Sequence, residues 1–262
     1  MKEINSSTNK NYKLCIQLAT KKYRDKYGLY LIEGDNLIAE AIKCNIEIMS
    51  VFVRKDYACL RGLAIPEPYV VSKNLYDQIA QTETSQGIVA VVKKRSYTES
   101  EFFDRCKAGN ILVLDRLQDP GNIGTMIRTA DAAGYKGVIV IKGTGDVFSP
   151  KVVRAAAGSL FRLPVLFADT AAEALTVMKS HGKKIVSTCF EAEADYFTVD
   201  MKNDVALIIG NEGGGLSQEW IDGADIRVKI PMEGTVDSLN AAVAAGIIMY
   251  ENKRQVIKIE KG

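Results

Sequence analysis

The 262-residue chain has little of several things that would declare a chemistry at once: one histidine, one tryptophan and six prolines. Its five cysteines (Cys15, Cys44, Cys59, Cys106 and Cys189) are odd in number and scattered, with no CxxC pair. That distribution argues against a disulfide framework and a zinc site, and fits reduced thiols in a cytoplasmic protein. The lone histidine, His181, lies in "VMKSHGKK" and reads as a surface residue, not a base. The longest apolar run, "LNAAVAAGIIM", is too short and too rich in alanine to cross a bilayer. The opening "MKEINSSTNK" lacks the apolar core of a signal peptide, so the expectation is a soluble cytoplasmic protein. A strong overall charge is also missing: the net value is +2. The basic residues are concentrated locally instead. Met1 to Tyr27 holds seven (Lys2, Lys10, Lys13, Lys21, Lys22, Arg24, Lys26) against Glu3 and Asp25. Such an excess can supply phosphate contacts, and it can equally be a solvated helix face.

What is there is ordered. "GLYLIEG" and "IEIMSVFV" read as strands around the amphipathic helix "DNLIAEAIKC", followed by a helix "KNLYDQIA" and a strand "GIVAVVKK". The polar stretch "RSYTESEFFDRCKAGN" reads as a linker plus the lead-in to a second domain, which places a domain boundary near residue 100. Beyond it, "ILVLD", "GVIVIK", "KIVSTCF", "VALIIG" and "IRVKIP" are short runs of Val, Ile and Leu without alternation. Strands of that kind belong to a parallel sheet covered by helices on both faces, which makes the second domain α/β.

Three strand ends carry unusual residues, and ligands of open α/β sheets bind beyond such ends. In "LDRLQDPGNIGTMIRTADAAGY", Asn122 is placed to cap a helix whose apolar stripe runs through Ile123, Met126, Ile127 and Ala130. Arg128 stands beside that stripe, about 9 Å along the axis from the cap. "IIGNEGGGLS" places three consecutive glycines after a strand, yet it matches neither a P-loop nor GxGxxG. Glu212 inside this loop would repel a phosphate and suits a ligand with hydroxyl or amino donors, or a need to orient cationic groups. In "IPMEGTVDSLNAAVAAGIIMYE", Pro231 ends a strand, and Asp237 or Ser238 starts a helix of small residues with Asn240 near its beginning.

These elements, in this order, resemble the SpoU/TrmH family of RNA ribose 2′-O-methyltransferases, within the SPOUT superfamily. The family's N-x-G-x-x-x-R element is met by Asn122, Gly124 and Arg128. Its G-N-E-x-x-G loop is met by Gly210, Asn211, Glu212 and Gly215, and its I-P-M…S-L-N element by Ile230, Pro231, Met232, Ser238, Leu239 and Asn240. "SPKVVRAAAGSLFRLPV" is similar to the family's connecting segment, with Ala156 where serine is common. "YLIEGDNLIAEAI" and "TSQGIVAVV" resemble a small domain, akin to certain ribosomal proteins, that many members carry ahead of the catalytic one.

The resemblance implies a ribosomal-protein-like α/β domain for RNA substrate binding over residues 1–100. A parallel-sheet methyltransferase domain with a deep trefoil knot would follow over residues 101–262. It implies S-adenosylmethionine held by Thr188, Gly210, Asn211, Glu212, Gly215, Ile230, Met232, Ser238 and Leu239, without a metal, in a homodimer. Catalysis would fall to Arg128, with Asn122, Glu212, Ser238 and Asn240 orienting it, the substrate or the cofactor. RNA contacts are expected from Lys21, Lys22 and Arg24. Ribosomal RNA is the expected substrate. Transfer RNA, a non-catalytic RNA-binding protein that kept the fold, and a nucleotide-dependent oxidoreductase are the alternatives.

Overall fold

The computed structural model describes residues 2–57, 64–82, 85–189, 192–211, 213–233 and 238–260, with side chains as far as Ile257. The elements in chain order begin with β1 (Lys2–Ile4), α1 (Lys10–Gln17), α2 (Lys21–Tyr27), β2 (Leu29–Glu33) and α3 (Asp35–Lys43). There follow β3 (Ile48–Arg54), β4 (Tyr69–Val71), α4 (Lys73–Ile79), β5 (Ile88–Lys93), α5 (Glu99–Arg105), β6 (Ile111–Leu114), α6 (Pro120–Ala133) and β7 (Gly137–Ile141). Then come α7 (Pro150–Ala156), α8 (Ser159–Arg162), β8 (Val165–Ala168), α9 (Ala171–Ser180), β9 (Lys184–Thr188) and β10 (Ala194–Asp195). The last four are β11 (Val205–Ile209), α10 (Gln218–Gly223), β12 (Ile226–Lys229) and α11 (Ala241–Glu260).

The chain forms two compact units, and no single cut separates them: Met1–Arg95 joins Asp146–Arg162, while Ser96–Gly145 joins Leu163–Gly262. The first unit holds a five-stranded mixed sheet in the order β1-β4-β3-β5-β2. Its core gathers Tyr12, Phe52, Tyr76, Ile79, Val89 and Val91. The ring of Phe52 meets Tyr12 edge-on at 6.4 Å and stacks on Tyr69 at 5.4 Å. Asp146–Arg162 joins this unit through Phe148, whose ring lies 5.0 Å from that of Tyr30.

The second unit is built on seven parallel strands in the order β10-β12-β9-β11-β6-β7-β8. Its central strands β6, β7 and β11 are buried at every residue, as the unalternated apolar runs require. Because every pairing is parallel, the carboxyl ends of β6, β9, β11 and β12 open onto one edge. From β6 the chain steps outward to β7 and β8, then returns beyond β6 to place β9 and insert β11 between them. The strand order reverses there, which is where an open α/β sheet offers its crevice.

Two local expectations need correction, while the polar stretch read as linker and lead-in holds α5, started by a reciprocal capping box between Thr98 and Glu101. The N-cap of α6 is Asp119, whose Oδ1 accepts from the Asn122 amide at 2.7 Å, so Asn122 lies inside the first turn. Lastly, α11 starts at Ala241, three residues later than Ser238, and Asn240 caps it by accepting from the amides of Ala242 at 2.9 Å and Val243 at 3.3 Å. The small residues of α11 let it lie close to α6: a Cβ added to Gly246 would sit 3.8 Å from Thr129. Farther along, Asn252 is buried, accepting from Asn110 Nδ2 at 2.7 Å and donating to the Met201 carbonyl.

Candidate functional site

The segment after β6 is shaped by its own hydrogen bonds. Arg116 adopts a left-handed backbone (φ 53°), a costly conformation for a residue with a side chain. It is held there by its amide, which donates to Thr144 Oγ1 at 2.9 Å, and by its guanidinium on the buried Asp115 at 3.0 Å. The turn leaves the Arg116 carbonyl to accept from Asn211 Nδ2 at 2.8 Å, linking the ends of β6 and β11. No sequence pattern announces this role for Arg116, because a left-handed arginine has no motif of its own.

Asn211 organises the glycine loop. Its Oδ1 accepts from the amides of Gly213 at 2.9 Å and Gly214 at 3.0 Å, and its carbonyl accepts from the Gly215 amide at 2.9 Å. Gly210 is required by space: an added Cβ would lie 2.7 Å from the carbonyl carbon and oxygen of Gly215. Gly215 is required by conformation, with φ at +61°. Thr188, at the end of β9, donates to the Ile208 carbonyl at 3.3 Å and stands beside this loop. Glu212, expected within the loop, lies outside the described residues.

The first and third motifs meet directly. Asn240 Nδ2 donates to Asn122 Oδ1 at 2.9 Å, while the same Asn240 caps α11 through its Oδ1. Arg128 is exposed two turns along α6, and none of the described residues bonds or pairs with its guanidinium. Ser238 is exposed on the approach to α11.

Ile230 is half-buried where β12 ends, and Met232 and Leu239 expose 37% and 36% of their surface. Among the described residues, nothing hydrogen-bonds the amides of Gly210, Ile230, Met232 or Leu239. Apolar side chains beside unpaired amides suit a ligand with a flat heterocycle and polar edges, and the glycine loop leaves room for its close approach. That donor set fits S-adenosylmethionine. Among the described residues, no cluster of three metal-ligating side chains occurs.

One expected RNA contact is overturned. Arg24 is only 4% exposed; it pairs with Asp146 at 2.6 Å and donates to the carbonyls of Leu18 at 2.7 Å and Ala19 at 2.8 Å. Its charge is spent inside the first unit. Lys21 and Lys22 are exposed, Lys21 pairing with Asp25 at 2.5 Å. His181 stacks on Phe103 at 4.0 Å between ring centroids, far in sequence from every motif.

Known proteins resemble this chain in sequence and fold. Residues 109–250 match the model of the SpoU rRNA Methylase family, and residues 9–90 match the MRM3-like substrate binding domain. Over 251 residues the chain is 36% identical to the 23S rRNA (guanosine(2553)-2'-O)-methyltransferase RlmP of Bacillus subtilis, covering 95% of this chain and 98% of the relative. The AdoMet-bound rRNA methyltransferase from Sinorhizobium meliloti matches with a TM-score of 0.87 at 32% identity, over 97% of this chain and 98% of its own. The SpoU methyltransferase AviRb from Streptomyces viridochromogenes, in complex with AdoMet, gives 0.85 at 30% identity, over 95% and 98%.

Proposed function

This chain belongs to the SpoU rRNA methylase family, and from that premise we propose that it transfers a methyl group to a ribose 2′-hydroxyl of 23S ribosomal RNA. The observation that carries the reading is the meeting of the motif segments at one sheet edge, through Asn240–Asn122 at 2.9 Å and Asn211–Arg116 at 2.8 Å. S-adenosylmethionine supplies the methyl group, made electrophilic by its sulfonium. The residues that would hold this cofactor are Thr188, Gly210, Asn211, Gly215, Ile230, Met232, Ser238 and Leu239, together with Glu212. Their support is the glycine loop, the amides that no described residue hydrogen-bonds, and the apolar side chains of Ile230, Met232 and Leu239.

Arg128 is assigned to the substrate hydroxyl. A neutral guanidine as base is expensive: with a pKa above about 12, deprotonation at neutral pH costs about 7 kcal/mol at about 1.36 kcal/mol per unit. A charged fork that grips the neighbouring RNA phosphate and stabilises a developing alkoxide avoids that cost. The carboxamides of Asn122 and Asn240 position α6, and with it Arg128, against the start of α11. Ser238 completes the group.

Residues 1–100 are assigned to RNA binding and residues 101–262 to methyl transfer, supported by the two family models that match 9–90 and 109–250. We read α11 as threaded into a deep trefoil knot; β11 inserted between β6 and β9, with α11 returning to α6, is consistent with it. A homodimer is supported by Val243, Tyr250 and Ile257, exposed apolar residues seven apart on α11 that form one uncovered stripe. No described helix is long and apolar enough to cross a membrane, and we assign the enzyme to the cytoplasm with its ribosomal substrate. Incubating the protein with labelled methyl donor and 23S or transfer RNA, then mapping the modified ribose, tests the reading. Methylation of the guanosine named for the Bacillus relative is expected, and incorporation into transfer RNA alone would overturn the substrate assignment.

A further inference from the structure

Helix α2 carries chemistry that the methyl-transfer site does not use. Tyr23 and Tyr27, one helical turn apart, stack with ring centroids 6.1 Å apart and planes 10° from parallel. The Lys22 ammonium lies 5.9 Å from the Tyr23 ring centroid, and the Lys26 ammonium lies 5.2 Å from that of Tyr27. Tyr27 is 42% exposed, Tyr23 is half-buried, and both lysines are exposed. Arg24, the residue after Tyr23 and so on an adjoining face, anchors the helix through its pair with Asp146 and two carbonyl bonds. Asp25, the one carboxylate on α2, is engaged by Lys21 at 2.5 Å and Lys94 at 3.0 Å. Burial opposes ionisation of Asp25, but the bonds from Lys21 and Lys94 outweigh it and hold the carboxyl below its ordinary range. The surface is therefore aromatic and net cationic on a helix that cannot easily turn away.

Two aromatic rings interleaved with two cations match the two faces of an unpaired nucleotide: a π-surface that stacks and a phosphate that draws positive charge. A seven-residue helix offers too little apolar surface for stable insertion in a lipid interface, and its cations would repel a basic protein partner. We propose that Tyr23 and Tyr27, flanked by Lys22 and Lys26, form a stacking platform for a single-stranded nucleotide of the RNA substrate, outside the methyl-transfer site. The proposal rests on the RNA-substrate reading.

The test uses the full chain, with labelled single-stranded RNA and a duplex of equal length titrated over a salt series. Tyr23→Ala/Tyr27→Ala should lose about tenfold in affinity for the single strand, with the salt slope unchanged, because stacking releases no counterions. Tyr27→Leu, which keeps the apolar bulk and the fold, should lose affinity similarly, and Tyr27→Phe should keep it. Lys22→Ala/Lys26→Ala should instead flatten the salt slope by roughly 1.4, at about 0.7 per phosphate contact on a single strand. A double tyrosine variant that binds within twofold of wild type, or a loss equal for duplex and single strand, would overturn the platform. Wild-type protein that binds the single strand with this signature but methylates no RNA would overturn the catalytic reading and leave the platform standing.

Discussion

The side chain of Asn240 donates to that of Asn122 at 2.9 Å across 118 residues of sequence, and the same carboxamide caps α11 through its oxygen. One residue thus fixes where α11 begins and ties that beginning to the first turn of α6, two turns ahead of Arg128.

If the Asn122–Asn240 bond positions Arg128, then Asn122→Ala, Asn240→Ala and the double variant should lose similar amounts of methyl transfer, on the order of 100-fold. Single-turnover rates over a double-mutant cycle check this. Losses that simply multiply would show the two carboxamides acting independently. Asn240→Ala should also cost about 1 kcal/mol of stability through the lost cap, which Asn122→Ala should not.

Arg128→Lys keeps the charge but removes the planar fork. Transfer should fall by about 100-fold or more while cofactor affinity stays within about twofold. Calorimetry with S-adenosylmethionine beside single-turnover rates separates the two. Lost cofactor binding would move Arg128 into the pocket wall.

Gly210→Ala places a Cβ at 2.7 Å from the backbone of Gly215, so the loop must shift. Because the contact is with backbone, no rotamer change relieves it. Cofactor affinity should drop by about tenfold, about 1.4 kcal/mol, and thermal stability should fall with it, because the clash is with backbone. Undiminished binding would show that the loop does not face the cofactor.

Arg24→Ala leaves Asp146 without its cation in a setting where the two side chains are 5% and 12% exposed. Denaturant unfolding should report a loss of about 3–5 kcal/mol, part of it recovered when Asp146→Ala is added. The salt slope of RNA binding should not change, since this guanidinium does not face solvent. A flattened slope would return Arg24 to the RNA interface.

Burial pushes the Cys106 thiol up to about 12, against about 8.5 in an unfolded chain. A raised folded value means that this group's contribution to stability is whole below about 8.5 and is lost as pH climbs toward about 12. Denaturation midpoints followed from about pH 8 to about pH 11 should fall less steeply for Cys106→Ala than for wild type. Parallel declines would show that the thiol does not share in the alkaline loss.

Much of this protein is legible before any coordinates. The apolar runs of β6, β7 and β11, the glycines at 210 and 215, and Pro231 after β12 each follow from short-range chemistry that a single segment carries. The sequence also set three polar motifs at strand ends, and with them the resemblance to the methyltransferase family. It did not show that Asp119 and Asn240 are the caps, because Asp, Asn and Ser are all competent there and only the observed backbone selects among them.

What only the tertiary structure decided is which of those groups meet. The insertion of β11 between β6 and β9 brings Asn211 to the carbonyl of a left-handed Arg116, and the return of α11 to α6 brings Asn240 to Asn122. Arg24 reads as one more surface cation until Asp146, 122 residues on, is folded against it. Periodicity reports which face of an element is apolar, but strand order and long-range partners are set by how many faces are buried together, and no single segment contains that information.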